Sequence, residues 1–79
     1  MWMENDGGML INFDNVLAIR KEIGAVYAYI HLDMIDGSRI MFWSGEKGEL
    51  NKAWEKVIEK IKENYGVERI WGVVSDRDS

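Results

Sequence analysis

Hydrophobic and polar residues alternate in the first half of the chain, which is the period of a β-strand with one buried face. The clearest alternation runs from residue 25 to residue 34. Its apolar set, which we predict to face the helix, comprises Val26, Ala28, Ile30, Leu32 and Met34. Its amphipathic set, which we predict to face outward, comprises Tyr27, Tyr29, His31 and Asp33.

Apolar residues three and four positions apart predict one amphipathic helix over residues 48–65. The stripe comprises Leu50, Ala53, Trp54, Val57, Ile58, Ile61 and Tyr65. Gly66 follows, and glycine readily adopts the left-handed conformation that ends many helices. If Trp54 is fully buried beneath this helix, Trp54→Ala should destabilise the domain by about 3–5 kcal/mol.

Turn-forming residues divide the remaining sequence into short apolar runs. These turns lie at Asp14-Asn15, Gly24 and Asp36-Gly37-Ser38, where glycine, aspartate and asparagine favour reversal of the chain. Residues 9–44 are therefore predicted to form an antiparallel β-meander of four strands. The predicted fold is one α+β domain in which the helix packs on one face of the meander.

The two ends of the chain have weaker patterns. Residues 1–8 are polar and rich in glycine, and we expect a loose arm. Residues 67–75 are apolar enough to be a candidate fifth strand, and residues 76–79 are expected to be a frayed charged tail.

Composition narrows the classes of function. The 79 residues carry a formal net charge of -4 and contain no cysteine. An acidic chain repels phosphate backbones, so nucleic acid is not an expected partner. Without cysteine there is no disulfide, thiol nucleophile or cysteine-ligated zinc. No run approaches the ~20 apolar residues of a membrane span, so we expect no membrane partner and a cytoplasmic protein.

Motifs for catalysis or cofactor binding are not recognisable. His31 and Asp33 could share one strand face, but no nucleophile accompanies them in a known motif. Asp14, Asp33 and Asp36 are too dispersed to indicate a metal site. The segment 44–49 lacks the phosphate-loop pattern. We predict a protein that is not an enzyme and has no cofactor.

The predicted sheet has more apolar surface than one helix can cover, which favours self-association. In strand 39–43, either Ile40 and Phe42 or Arg39, Met41 and Trp43 could lie beneath the helix, and Trp43 is included in the candidate interface of the outer face. The candidate interface comprises Tyr27, Tyr29, His31, Met41, Trp43 and Trp71. A homodimer is the expected assembly, with contact to another protein as a further partner.

Two alternatives to self-association through this face remain open. The last segment, with Ile70 and Trp71, could fold back over the outer face. Alternatively, Tyr27, Tyr29 and Trp43 could form a stacking platform for single-stranded nucleic acid.

The order of turns and core residues also resembles a family of small bacterial proteins. The segment Leu10-Ile11-Asn12-Phe13-Asp14-Asn15-Val16 is followed by Asp36-Gly37-Ser38 and then by an amphipathic helix. Over residues 9–62 this layout is similar to that of FlbD-like flagellar-operon and phage accessory proteins. The resemblance implies a small non-catalytic accessory protein, and it implies no catalytic residues.

Overall fold

A computed structural model of the chain describes residues 1–66 and 72–75. Its strands are β1 (Trp2–Glu4), β2 (Leu10–Asn12), β3 (Val16–Ile23), β4 (Tyr27–Met34), β5 (Arg39–Glu46) and β6 (Gly72–Ser75). The helix α1 comprises Leu50–Tyr65, and short 3-10 turns occupy Phe13–Asn15 and Lys47–Glu49. The predicted α+β class is therefore confirmed.

The main sheet has four strands in the order β5-β4-β3-β6. Strands β3, β4 and β5 form an antiparallel meander. The turn between β4 and β5 uses Gly37 at φ 92°, and the Ser38 N–H donates to Asp36 Oδ1 at 2.9 Å. This glycine conformation and aspartate contact are the features that the sequence predicts for the turn.

β6 lies within the candidate fifth strand, but it does not extend the meander. It pairs in parallel with β3, with Ala18 opposite Gly72 and Lys21 opposite Ser75. Parallel neighbours require a crossover connection, and the connection from β5 to β6 contains α1. Residues 67–71 and the predicted tail lie outside the described residues.

The N-terminal segment is not a loose arm, and residues 9–13, which the sequence predicts to begin the meander, do not join it. β1 and β2 instead form their own antiparallel hairpin, with Met3 opposite Ile11. Asn5 closes its turn because its backbone N–H donates to the Met9 carbonyl at 2.9 Å and its Oδ1 accepts from the Met9 N–H at 2.7 Å. Gly8 supplies the positive φ of 84°.

One core joins the hairpin, the main sheet and α1. Its buried side chains are Ile11, Phe13, Val16, Ile19, Ala28, Ile30, Leu32, Phe42, Leu50, Val57 and Ile61. The Phe13 and Phe42 rings meet edge to face, with centroids 5.6 Å apart. The apolar set of β4 is thus largely correct, although Val26 precedes the strand and is exposed.

The helix begins at Leu50, two residues after the predicted start, and ends at Tyr65 as predicted. The Gly66 N–H donates to the Lys62 carbonyl at 3.0 Å. The Tyr65 hydroxyl donates to Asp14, which joins the end of α1 to the 3-10 turn after β2. α1 has 16 residues, and no helix among the described residues is long and apolar enough to span a membrane.

Trp54 is half-buried, so the condition of full burial is not met. The ring packs against the core. Lys21 Nζ lies over the ring, 4.7 Å from its centroid. Lys21 can reach the ring because it is opposite the core residue Ile30 and therefore lies on the helix side of the sheet.

Candidate protein-contact surfaces

A β-bulge in β5 determines which of its side chains face the helix. The pairing of β4 with β5 shifts between Ile30, opposite Trp43, and His31, opposite Met41. The extra residue is Phe42, which is buried, while Trp43 packs against the core from the helix side. The prediction that Trp43 lies on the outer face is therefore wrong, because a bulge breaks the simple alternation.

The sheet face opposite α1, here called the outer face, carries Arg20 and Glu22 from β3, Tyr27, Tyr29, His31 and Asp33 from β4, and Arg39 and Met41 from β5. It therefore contains four of the six predicted interface residues. Trp43 lies on the opposite side, and Trp71 is outside the described residues.

Ion pairs occupy much of the outer face. Asp33 accepts from Arg39 Nε at 2.8 Å and from Arg20 Nη2 at 3.1 Å. The hydrogen bond from Arg39 is the main reason that the pKa of Asp33 lies below its ordinary value, and the bond from Arg20 lowers it further. The outer face therefore already carries a paired charge cluster within one chain.

Aromatic residues on this face also contact their neighbours. The Tyr29 and His31 rings are stacked, with centroids 5.9 Å apart. His31 Nδ1 lies 3.0 Å from Glu22 Oε1. Tyr27 and Met41 remain 56% and 41% exposed. The outer face is thus mixed in polarity, and the predicted three-residue stacking platform is not assembled because Trp43 is elsewhere.

Trp43, which the sequence assigns to the outer face, lines instead a groove beside α1. This Trp43 groove is open to solvent and has a volume of about 680 Å³. Its floor comprises Met3, Phe42, Trp43, Ala53 and Val57. Its rim consists of charged residues, namely Glu49 of the 3-10 turn before α1 and Lys52, Lys56, Glu59, Lys60 and Glu63 of α1.

Gly45 gives the Trp43 ring its position. A Cβ atom added at Gly45 would lie 2.5 Å from Cζ2 of Trp43 and 2.9 Å from Cη2. The ring therefore lies over the backbone of Gly45, two residues along the same strand. Sequence reasoning missed this contact, although a tryptophan two residues before a glycine on one strand face is the pattern that indicates it.

The N-terminal hairpin contributes Met3 to the groove and is anchored to the edge of β5. The Asp6 N–H donates to the Phe42 carbonyl at 3.1 Å, and Asn5 Nδ2 donates to the Met41 carbonyl at 3.0 Å. Asp6 Oδ2 accepts from the Ser44 N–H at 2.9 Å. These contacts hold Met3 beside Trp43 and occupy backbone groups of β5 that would otherwise be an open edge.

Acidic and histidine side chains do not form a metal-binding group in residues 1–66 and 72–75. No three of them converge closely enough to hold an ion. Asp14, Asp33 and Asp36 instead contact Tyr65, the two arginines and Ser38, respectively.

Comparisons with known proteins give no family for this chain. Searches of protein-family models, curated proteins and solved structures each return no match. The resemblance to FlbD-like proteins therefore stays a prediction from sequence. The geometry of the outer face and of the Trp43 groove provides the basis for a functional proposal.

Proposed function

We propose that this chain is a small non-enzymatic accessory protein that acts through protein–protein contact and associates with a second copy of itself through the Trp43 groove. The observation that carries the proposal is the groove itself, an open concave surface with an apolar floor and a charged rim. Stable interfaces commonly combine an apolar centre that contains aromatic residues with a polar rim.

Trp43 is the residue that we expect to contribute most to binding. Tryptophan is among the residues most enriched at interface positions that dominate affinity. Its ring is already held over Gly45, so little conformational freedom remains to be lost when a partner covers it. Met3 and Ala53 lie beside the ring and add apolar area to the same contact.

The outer face offers less for self-association. Its two arginines already pair with Asp33, and Glu22 lies against His31. A partner would have to match or displace these charges. Interfacial charge pairs add little net affinity, because the cost of removing them from water offsets much of their attraction. The helix side is therefore the surface that we assign to the second copy.

Sedimentation equilibrium tests the proposal. We expect a mass above that of the 9.2 kDa chain, with dissociation on dilution through the micromolar range. Ala53→Arg places a long charged side chain in the groove and should give a monomer. Asn51→Arg is the matched control, because Asn51 is exposed on α1 and does not line the groove.

Two outcomes would contradict the proposal. One is a wild-type chain that remains a monomer at about 100 µM, above the dissociation constants of most specific complexes. The other is an Ala53→Arg variant that associates as strongly as the Asn51→Arg control. Far-ultraviolet circular dichroism of both variants shows whether α1 is retained.

A further inference from the structure

Beside Lys60, which also lines the Trp43 groove, four charged residues of α1 form one exposed stripe along the rim. They are Lys52, Lys56, Glu59 and Glu63, spaced four, three and four positions apart. This spacing places them on one face of a helix. All four are exposed, and all four line the groove.

The order of charges along this stripe is unfavourable for a single helix. Both lysines lie nearer the N-terminus and both glutamates nearer the C-terminus, the opposite of what the helix dipole favours. Lys52 and Lys56 are like charges at i,i+4, as are Glu59 and Glu63, and such pairs destabilise a helix. Within the same helix Lys60 Nζ lies 3.9 Å from Glu63 Oε1, and such exposed pairs contribute little to stability, so the like-charge pairs of the stripe are offset only in part.

The same order is complementary to itself when the helix is reversed. If two copies of α1 pack antiparallel about a two-fold axis, Lys52 can lie opposite Glu63 of the partner subunit. Lys56 then lies opposite Glu59 of the partner subunit. The symmetry repeats each pair, so every charge of the stripe meets its opposite. A parallel arrangement would place like charges together.

We propose that the second copy docks about this two-fold axis, with the two α1 helices antiparallel along the charged stripe and the Trp43 grooves covered by the contact. The proposal rests on the self-association proposed above and specifies its geometry. The 4-3-4 spacing is that of helices that pack at a small crossing angle. Charge pairs at the rim select the register and orientation, whereas the apolar floor contributes the buried area.

Charge exchange tests this geometry without changing any core residue. K52E/K56E makes the stripe entirely acidic, and E59K/E63K makes it entirely basic. Each variant alone should dissociate, with the dissociation constant raised about 30-fold, since repulsion replaces attraction at every rim pair. Increasing salt should weaken the wild-type dimer, and it should also reduce the ratio between the dissociation constants of each variant and of the wild-type chain.

Two rescue experiments make the test specific. An equimolar mixture of K52E/K56E and E59K/E63K should form a heterodimer, because every rim pair is again of opposite sign. The fourfold variant K52E/K56E/E59K/E63K should recover the homodimer for the same reason. K47E/K62E is the control for K52E/K56E, since it makes the same change in net charge at exposed positions that do not line the groove.

The outcomes separate this inference from the proposed function. A monomeric wild-type chain contradicts both. A dimer that Ala53→Arg dissociates but neither double charge variant weakens leaves the groove as the contact and overturns the antiparallel helix geometry. Failure of both the mixture and the fourfold variant to associate also overturns this geometry.

Discussion

Gly45→Ala tests the packing that forms the Trp43 groove. The added Cβ would lie 2.5 Å from Cζ2 of Trp43, a separation that non-bonded carbons do not tolerate. Gly45 does not have a positive φ, so alanine introduces no backbone strain. The whole effect must come from displacement of the ring, and we expect a loss of about 1–3 kcal/mol, typical of overpacking.

Urea unfolding followed by circular dichroism measures this loss, and tryptophan emission reports the altered environment of the ring. Gly48→Ala is the control, because a Cβ there meets nothing within 4 Å. A glycine replaced by alanine without a clash commonly stabilises by about 0.4–1 kcal/mol through the unfolded state. Gly45→Ala and Gly48→Ala should therefore change the free energy of unfolding in opposite directions.

A double-mutant cycle assigns the effect to the ring. In a Trp43→Leu background the aromatic atoms that the new Cβ would meet are gone, so Gly45→Ala should cost little or stabilise the protein slightly. The reasoning is refuted if Gly45→Ala costs the same with tryptophan or leucine at position 43. It is also refuted if Gly45→Ala is as stable as Gly48→Ala with unchanged emission.

Other predictions follow from the ion pairs, the core and the surface. Hydrogen bonds lower the folded-state pKa of Asp33. The ionised Asp33 carboxylate therefore contributes to stability above about pH 4, and this contribution declines as pH falls through the folded-state pKa. Asp33→Asn should flatten this part of the dependence of the free energy of unfolding on pH. Ile61→Ala should cost about 2–5 kcal/mol in urea unfolding, because Ile61 is fully buried. Trp54→Ala should lower the free energy of unfolding by less than the replacement of a fully buried tryptophan would, since the ring is half-buried. Addition of single-stranded oligonucleotides at low salt should leave tryptophan emission unchanged, and quenching that fades with salt would instead support nucleic-acid binding.

Local periodicity was sufficient to predict the parts of the fold that depend on neighbouring residues. The apolar stripe predicts α1 within two residues of its observed start at Leu50. The alternation in β4 correctly separates Ile30 and Leu32 from Tyr29 and His31. Each prediction needs only the period of one element, and both elements are long enough for that period to repeat.

Features that depend on contacts between elements were not predictable in this way. The bulge at Phe42 reverses the assignment of Trp43 and thereby moves the candidate site from the outer face to the helix side. The hairpin of β1 and β2 has strands of three residues each, too short for alternation to be recognised. Its signal is the turn chemistry of Asn5 and Gly8, which matters only once two segments pair.

The charges of the α1 stripe are visible in the sequence, but their significance depends on the groove. Without it, Lys52 and Glu63 are ordinary solvated residues on the polar side of an amphipathic helix. The structure places them on the rim of an apolar surface that includes Trp43. This position allows charge order to be interpreted as a determinant of docking.

The parallel pairing of β6 with β3 has a consequence for folding during synthesis. Strands β3, β4 and β5 are consecutive, so their antiparallel contacts can form as soon as these residues leave the ribosome. Ala18 pairs with Gly72 only after α1 has been synthesised and has crossed the sheet. Such distant pairing is slow because loop closure precedes its stabilising contacts. During that interval the hydrogen-bonding edge of β3 that later pairs with β6 is exposed in the nascent chain. A chaperone or another nascent chain can bind at this edge.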